Sequence, residues 1–378
     1  MITTYSIFVL LVTGLYLVVL IYLIKGWAAL RRPKQQIPAA QLNTKVSLLI
    51  AARNEEANIR ATIEDVLAQD YPKHLLEVII IDDHSTDNTA NIIRSYAPQG
   101  IKLLQLNEAE KLNSYKKKAI ATAIGQSTGH LIVATDADCS MGSKWLSSVV
   151  SYYETHDWVM ISSPVTYFKE KNLFERLQTL EFSYLIGIGA AFIGNGRAST
   201  CNGANFAYRK DVFYEVGGFQ GIDDLASGDD ELLLQKVAER YPNRIGFLKQ
   251  REAIVYTEAK PNLTEFMQQR RRWASKSTRY KDKKVVAMAV GIWLFNLSLL
   301  INVFAGFFNI RFWELFLLQM LLKYLFEAAF LLPITAFFKR SNLVMLLSIL
   351  SPIHILYFVY VGLMGNTAKY RWKDRVVK

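Results

Sequence analysis

The first 24 residues, MITTYSIFVLLVTGLYLVVLIYLI, contain no charged side chain. About 20 consecutive apolar residues cross the hydrocarbon core of a bilayer. A chain that begins this way is restricted to folds built beside or through a membrane. Neither a basic stretch before the run nor a small-residue cleavage pattern after it is present, so it reads as a retained anchor rather than a secretory signal. Residues 285–310 and 343–366 are also free of Asp, Glu, Lys and Arg. Residues 312–338 carry Glu314, Lys323 and Glu327; such charges face a bundle interior or a headgroup layer, and the segment can span, re-enter or lie in the interface. The region 285–366 therefore holds two or three transmembrane helices.

The formal charge of +11 would suit a nucleic-acid partner, but its distribution does not. Residues 25–34, 270–284 and 369–378 carry +4, +7 and +4, which leaves −4 for everything else. Each basic stretch adjoins a long apolar segment. Cations in that position report membrane orientation and anionic headgroups, whereas a DNA-binding stripe covers a folded face. Residues 25–44 then form a basic juxtamembrane linker and 367–378 a basic tail. Lys25 to Lys34 and Arg270 to Lys284 place residues 45–275 in the cytosol, against a multi-pass cell (inner) membrane. The tail belongs on that side too by its charge, which requires that 312–338 not span. Cys139 and Cys201 are too few for a disulfide scaffold and wrongly spaced for zinc.

Between these segments, short β-rich runs alternate with helical patterns. KVSLLIAA (45–52), EVIIIDDHS (77–85), IKLLQL (101–106) and HLIVATDAD (130–138) read as strands, with helices near 59–67, 88–96 and 116–124 between them. That alternation predicts an α/β domain with a mostly parallel, Rossmann-like sheet. Ligands of such sheets bind at the carboxyl ends of the strands. Three of these strands end in polar or acidic residues there: Arg53 and Glu55, Asp82 and Asp83, Asp136 and Asp138.

Asp136-Ala137-Asp138 offers hard oxygen ligands to Mg²⁺ or Mn²⁺, which often bridge carboxylates and substrate phosphates; a solvated turn is the plain alternative. Asp83 can accept hydrogen bonds from a nucleobase or ribose, or cap the next helix. Lys116, Lys117 and Lys118 can reach a phosphate or form a solvated helix start. Gly228-Asp229-Asp230-Glu231 opens a helix; one carboxylate there suits general-base chemistry, and the acids equally suit the helix dipole. Gln269-Arg270-Arg271-Arg272-Trp273 precedes an apolar segment, where arginines also serve as a positive-inside flank.

Taken in order, these residues resemble the inverting glycosyltransferases of family 2, with the GT-A fold. The resemblance spans about 45–275 and rests on IAARNEE (50–56), IIIDDHSTDNT (79–89), YKKKAI (115–120), TDAD (135–138), CNGANFAYRKDVFYEVGGF (201–219), SGDDELL (227–233) and QRRRW (269–273). It implies a nucleotide-diphospho-sugar donor, most simply a UDP-sugar, contacted by Ala51, Arg53, Glu55, Asp83, Lys116 and Asp136. It implies a metal, Mg²⁺ or Mn²⁺, on Asp138 and Asp136. Asp230 stands at the position of the catalytic base, but Asp229 replaces the family's usual Glu beside it, so both are candidates. Gln269, Arg272 and Trp273 match Q-x-x-R-W and are assigned to the acceptor and the departing diphosphate. The same motifs occur in lipid glycosyltransferases resembling ceramide glucosyltransferase and in processive polysaccharide synthases, whose membrane part is larger. A lipid or lipid-linked acceptor fits the layout best, with residues 172–193 as an apolar interfacial segment near the site. A processive synthase, and a catalytically silent nucleotide-binding membrane protein, are the two other readings.

Overall fold

The structure, a computed structural model, describes residues 2–33, 36–106, 114–225, 227–274, 283–364, 370–372 and 375–377. Lys34, most of the second basic run (275–282) and half of the tail lie outside these.

The chain opens with helix α1 (Ile2–Ala29). It runs five residues past the charge-free stretch, through Lys25, because no helix breaker intervenes before Pro33. The α/β domain follows: β1 (Val46–Ala52), α2 (Ile59–Leu67), β2 (Leu76–Asp82), α3 (Thr89–Ser95), β3 (Ile101–Gln105), α4 (Tyr115–Gln126), β4 (Leu131–Asp136), β5 (Ser140–Met141), α5 (Trp145–Glu154), β6 (Met160–Ser162) and β7 (Val165–Phe168). After the long helix α6 (Leu173–Gly194) come β8 (Phe206–Arg209), α7 (Lys210–Glu215), α8 (Glu231–Arg240), β9 (Ile245–Phe247), β10 (Val255–Glu258) and α9 (Leu263–Ala274). Three more long helices follow, α10 (Lys283–Gly306), α11 (Ile310–Phe337) and α12 (Leu347–Met364).

The main sheet has the order β3-β2-β1-β4-β8-β6-β9. Its first four strands are parallel, as strands joined by helical crossovers must be. β8 enters antiparallel to both β4 and β6, and β6 pairs parallel with β9. The near-continuous apolar runs of β1, β2 and β4 are buried on both faces. Register is what makes the functional edge: Ala52 faces Asp82, Ala51 faces Asp136, and Asp82 faces Gln105. The polar residues that end these strands therefore emerge at one level. A small second sheet, β5-β10-β7, closes the domain's other flank.

Among the described residues, five helices are long and apolar enough to cross a membrane: α1, α6, α10, α11 and the stretch Ser341–Tyr360 that contains α12. They differ in placement. α1 ends on the domain, where Lys249 Nζ donates to Trp27 O at 2.8 Å and sits over the Trp27 ring. Two residues on, Arg251 Nε donates to Phe337 O at 2.7 Å and so holds the end of α11. A cation at a helix C-terminus meets both the unpaired carbonyls and the negative end of the dipole. The far ends of α1, α10 and α11 meet each other instead: Tyr5 Oη donates to Asn302 at 2.9 Å, and its ring packs on Phe312.

α6 is mostly buried. It crosses α1 where Gly26 and Gly194 oppose each other; a Cβ on Gly26 would strike the carbonyl of Ala191, and one on Gly194 that of Gly26. α12 meets α11 through Ser351 and Glu327, and α10 through Val359 and Trp293. Those neighbours each lie ten residues in from the domain ends of their helices, Phe337 and Lys283, or about 15 Å at 1.5 Å per residue. α12 thus runs across the bundle rather than down it, and the strand Tyr370–Trp372 beyond it returns to lie against α9. α12 is the helix laid against α10 and α11 at that depth, and the charged segment 312–338 forms the greater part of the 28-residue helix α11, Ile310–Phe337. Lys323 and Glu327 make this possible by pairing inside the bundle, with Nζ–Oε1 at 2.5 Å and Tyr16 Oη donating to the same carboxylate at 2.6 Å.

Candidate functional site

The loops after β1 and β2 are built as one unit. Arg53 Nη1 donates to the carbonyls of Asp83 and His84 at 2.8 and 2.9 Å. Asn54 N donates to Ser85 Oγ, and Asn54 Oδ1 accepts from Thr86 N. Glu55 N is held by Thr89 Oγ1, and Glu56 Oε2 accepts from Asn88 N. This bracing sustains left-handed backbone at Asn54 and His84, φ 50° and 55°, which few non-glycine residues adopt unaided. The result is a fixed shelf with Asp83 only 2% exposed and its Oδ1 3.0 Å from His84 Nδ1.

The second half of the site is organised by the three lysines that open α4. Lys116 Nζ lies 2.9 Å from Asp136 Oδ1 and 3.1 Å from Asp229 Oδ2, joining the end of β4 to the entry of α8. Burial opposes its charge, but Asp136 and Asp229 prevail and hold its pKa above the ordinary lysine value. Burial likewise works against ionised Asp136, and Lys116, with Arg272 assisting, brings its pKa below the usual carboxylate value. Lys117 is buried and donates to the carbonyls of Ile222, Leu225 and Ser227, fixing the loop that delivers Asp229. Lys118 is exposed. Gly228 takes φ 86°, a conformation that L side chains rarely adopt, and so permits the turn into the acids.

Asp230 is the N-cap of α8: its Oδ1 accepts from Glu231 N at 2.6 Å and its Oδ2 from Gly203 N at 2.8 Å. Two backbone donors thus orient one carboxylate, and Gly203 comes close because it lacks a side chain. Asp229 turns inward to Lys116 instead. Both line the cleft, Asp229 paired with Lys116 and Asp230 held by two backbone donors.

Asp136, Asp138 and Cys139 place one potential ligand atom each within 4.8 Å of one another. Cys139 is buried, and burial followed by the nearby Asp138 and Asp136 pushes its thiol well up. With Asp136 drawn to Lys116, Asp138 is left as the principal carboxylate, a donor set that suits a hard divalent cation completing its shell with substrate phosphates.

QRRRW sits on α9, and its first arginine, not singled out from the sequence, is the structural one. Arg270 is 4% exposed; Nε and Nη2 bind the two oxygens of Glu181 at 3.1 and 2.7 Å, and Nη1 donates to Gln269. Its guanidinium lies over Trp273, which packs on Phe182, which stacks on Tyr167. The signal available in the sequence was Glu181, an acid beyond the first turn of an otherwise apolar stretch, where burial calls for a cation.

A single cavity of about 950 Å³ gathers these parts. Ala51, Arg53, Glu55, Asp83, Lys116, Asp136, Asp138, Asp229, Asp230, Gln269, Arg272 and Trp273 all line it. Every site residue expected from the sequence is thus brought to one cleft. The cavity also extends where sequence reasoning did not look, among α1, α6, α10, α11 and α12, as far as Tyr16, Asn296, Glu327 and His354.

An acid-lined cleft at the carboxyl edge of a mostly parallel sheet, interrupted by one antiparallel strand, is the arrangement of a GT-A domain. Residues 47–217 match the model of glycosyl transferase family 2, and this part of the chain belongs to that family. The glycosyltransferase AglE of Haloferax volcanii is 37% identical over 106 residues, covering 28% of this chain and 34% of that one. A β-monoglucosyldiacylglycerol synthase of Nostoc sp. is 27% identical over 240 residues, covering 63% and 50%. The chain spans between a third and about half of the length of these curated relatives. Among solved structures, the mannosyltransferase PcManGT from Pyrobaculum calidifontis, in complex with GDP-Man and Mn²⁺, superposes with a TM-score of 0.60 at 18% identity. That match takes in 97% of this chain and 99% of the other, so the fold is shared beyond the catalytic domain, flanking helices included.

Proposed function

We propose that the protein is a membrane-embedded inverting glycosyltransferase that moves a sugar from a nucleoside-diphospho-sugar, a UDP-sugar in the first instance, to a hydroxyl of a lipid acceptor. The observation that carries this is the continuity of the cavity: the acidic cleft and the interior of the apolar helices are one space. The relatives named above include a lipid glycosyltransferase, and the Pyrobaculum protein's complex holds a nucleotide sugar with Mn²⁺. The basic flanks of α1 and α10 support a domain on the cytoplasmic face of the cell membrane.

The shelf of Asp83 and Arg53 receives the nucleoside. Asp138, with Asp136, would hold Mg²⁺ or Mn²⁺, which offsets charge on a diphosphate leaving group. Asp230, aimed by Gly203 N and Glu231 N, takes the proton of the acceptor hydroxyl. The hydroxyl oxygen then bonds to the anomeric carbon from the face opposite the diphosphate, whose bond to that carbon breaks with inversion. Arg272 supports the departing diphosphate, and Trp273 packs beside the acceptor. Asp229 keeps Lys116 in place between the two halves of the site.

The test is a donor panel of UDP- and GDP-sugars with total lipid extract, read as nucleotide release and by mass spectrometry of the lipid product. Asp230→Asn is expected to lower turnover by about 10²–10⁴-fold while nucleotide binding persists. A variant with unaltered turnover would remove Asp230 from the chemistry. A ladder of products rather than a single adduct would favour a processive synthase.

A further inference from the structure

The membrane end of the cavity is a chamber with its own chemistry. Lys323 and Glu327 of α11 reach into it, as do Glu181 of α6 and Arg270 of α9, and these four form two matched pairs at 2.5 and 2.7 Å. Both cations are therefore committed to carboxylates. Asn296 lines the same space, is 1% exposed, and anchors its Nδ2 on Ile292 O at 2.8 Å. That bond leaves Oδ1 as a buried acceptor with no donor. A buried unmet acceptor costs about 1–3 kcal/mol, and what satisfies it must bring a hydrogen. Tyr184 and Tyr357 add hydroxyls to the wall. At the side, Leu185 on α6 and Phe358 on α12 line the cavity while remaining 36% and 40% exposed on the apolar exterior.

Resting on the glycosyltransferase reading above, we propose that this chamber is the acceptor subsite, and that the acceptor is an uncharged lipid whose head carries hydroxyl or amide donors. Its head would lie between Asn296 and Asp230, with its hydrocarbon leaving past Leu185 and Phe358. A phosphate-linked lipid is a poor fit, because phosphate oxygens only accept hydrogen bonds at neutral pH. Their charge would face Glu327 and Asn296 Oδ1, with only the Tyr184 and Tyr357 hydroxyls and His354 to offer hydrogens unless a cation left its pair and stranded a buried carboxylate.

The experiment uses the full chain in lipid nanodiscs with the donor found above and two acceptors at equal mole fraction, diacylglycerol and a polyprenyl phosphate. Transfer to diacylglycerol at least tenfold faster is the expected result. Preferential transfer to the polyprenyl phosphate overturns the proposal and leaves the enzyme intact as a glycosyltransferase. If neither nucleotide binding nor donor hydrolysis occurs with any metal, the underlying reading fails and this one with it. Asn296→Leu is expected to raise the apparent KM for diacylglycerol about tenfold without altering donor hydrolysis in the absence of acceptor, which also reports that the variant is folded. An unchanged acceptor KM would refute the subsite; should that variant not fold, Asn296→Ser, smaller and polar, is held to the same criterion.

Discussion

At the scale of single residues, Arg270 and Glu181 show how a catalytic motif doubles as structure. A bidentate pair this deeply buried adds little over a well-packed apolar pair, yet breaking it leaves a lone charge. Arg270→Met should therefore destabilise the purified protein by about 3–5 kcal/mol, seen as a lowered unfolding midpoint. The double variant with Glu181→Leu should recover most of it. A double variant no better than the single one would mean that the pair is not what holds α9 to α6. The chemistry-bearing residues were legible in the sequence because their side chains have few bland uses at strand ends: Asp83, Asp138 and Asp230 all arrive at the cleft. Arg270 and Asn296 were not, since one looked like an orientation flank and the other like a chance polar residue in a helix. Which member of Asp229 and Asp230 pairs with a lysine and which is held by backbone donors was also closed to sequence reasoning. The answer depends on Gly203 and Lys116, which are 27 and 113 residues away from their partners in the chain.

At the scale of elements, the parallel strands could be read to within three residues, the end of 77–85 being the worst, because apolar runs of that length between helical patterns have few other homes. β8 and its antiparallel entry could not, as direction is set by partners rather than by composition. The long helices were visible by length, but not their use. α6 has the length to span and is instead packed against α1 through facing glycines. Gly26→Val should break that crossing and lower the thermal midpoint by several degrees, whereas Gly14→Ala, with nothing within 4 Å of the added carbon, should leave it unchanged or slightly higher. Equal effects of the two substitutions would show that the close approach carries no stability.

For the whole molecule, the conflict between a basic tail and an odd number of crossings disappears once α12 lies across the bundle. In right-side-out vesicles, a cysteine placed at Phe308, between α10 and α11, should react with an impermeant reagent, and one at Arg371 should react only after the vesicles are opened. Labelling of both from outside would mean that α12 crosses. The union of a water-facing cleft with a chamber among apolar helices has a kinetic corollary. On the proposed reading, the donor arrives from three dimensions and is counted per volume, while the acceptor arrives by lateral diffusion and is counted per area. Diluting vesicles in buffer would then leave the supply of acceptor untouched, and diluting the acceptor among inert lipids would starve the enzyme, so its throughput is governed by the composition of the leaflet it occupies.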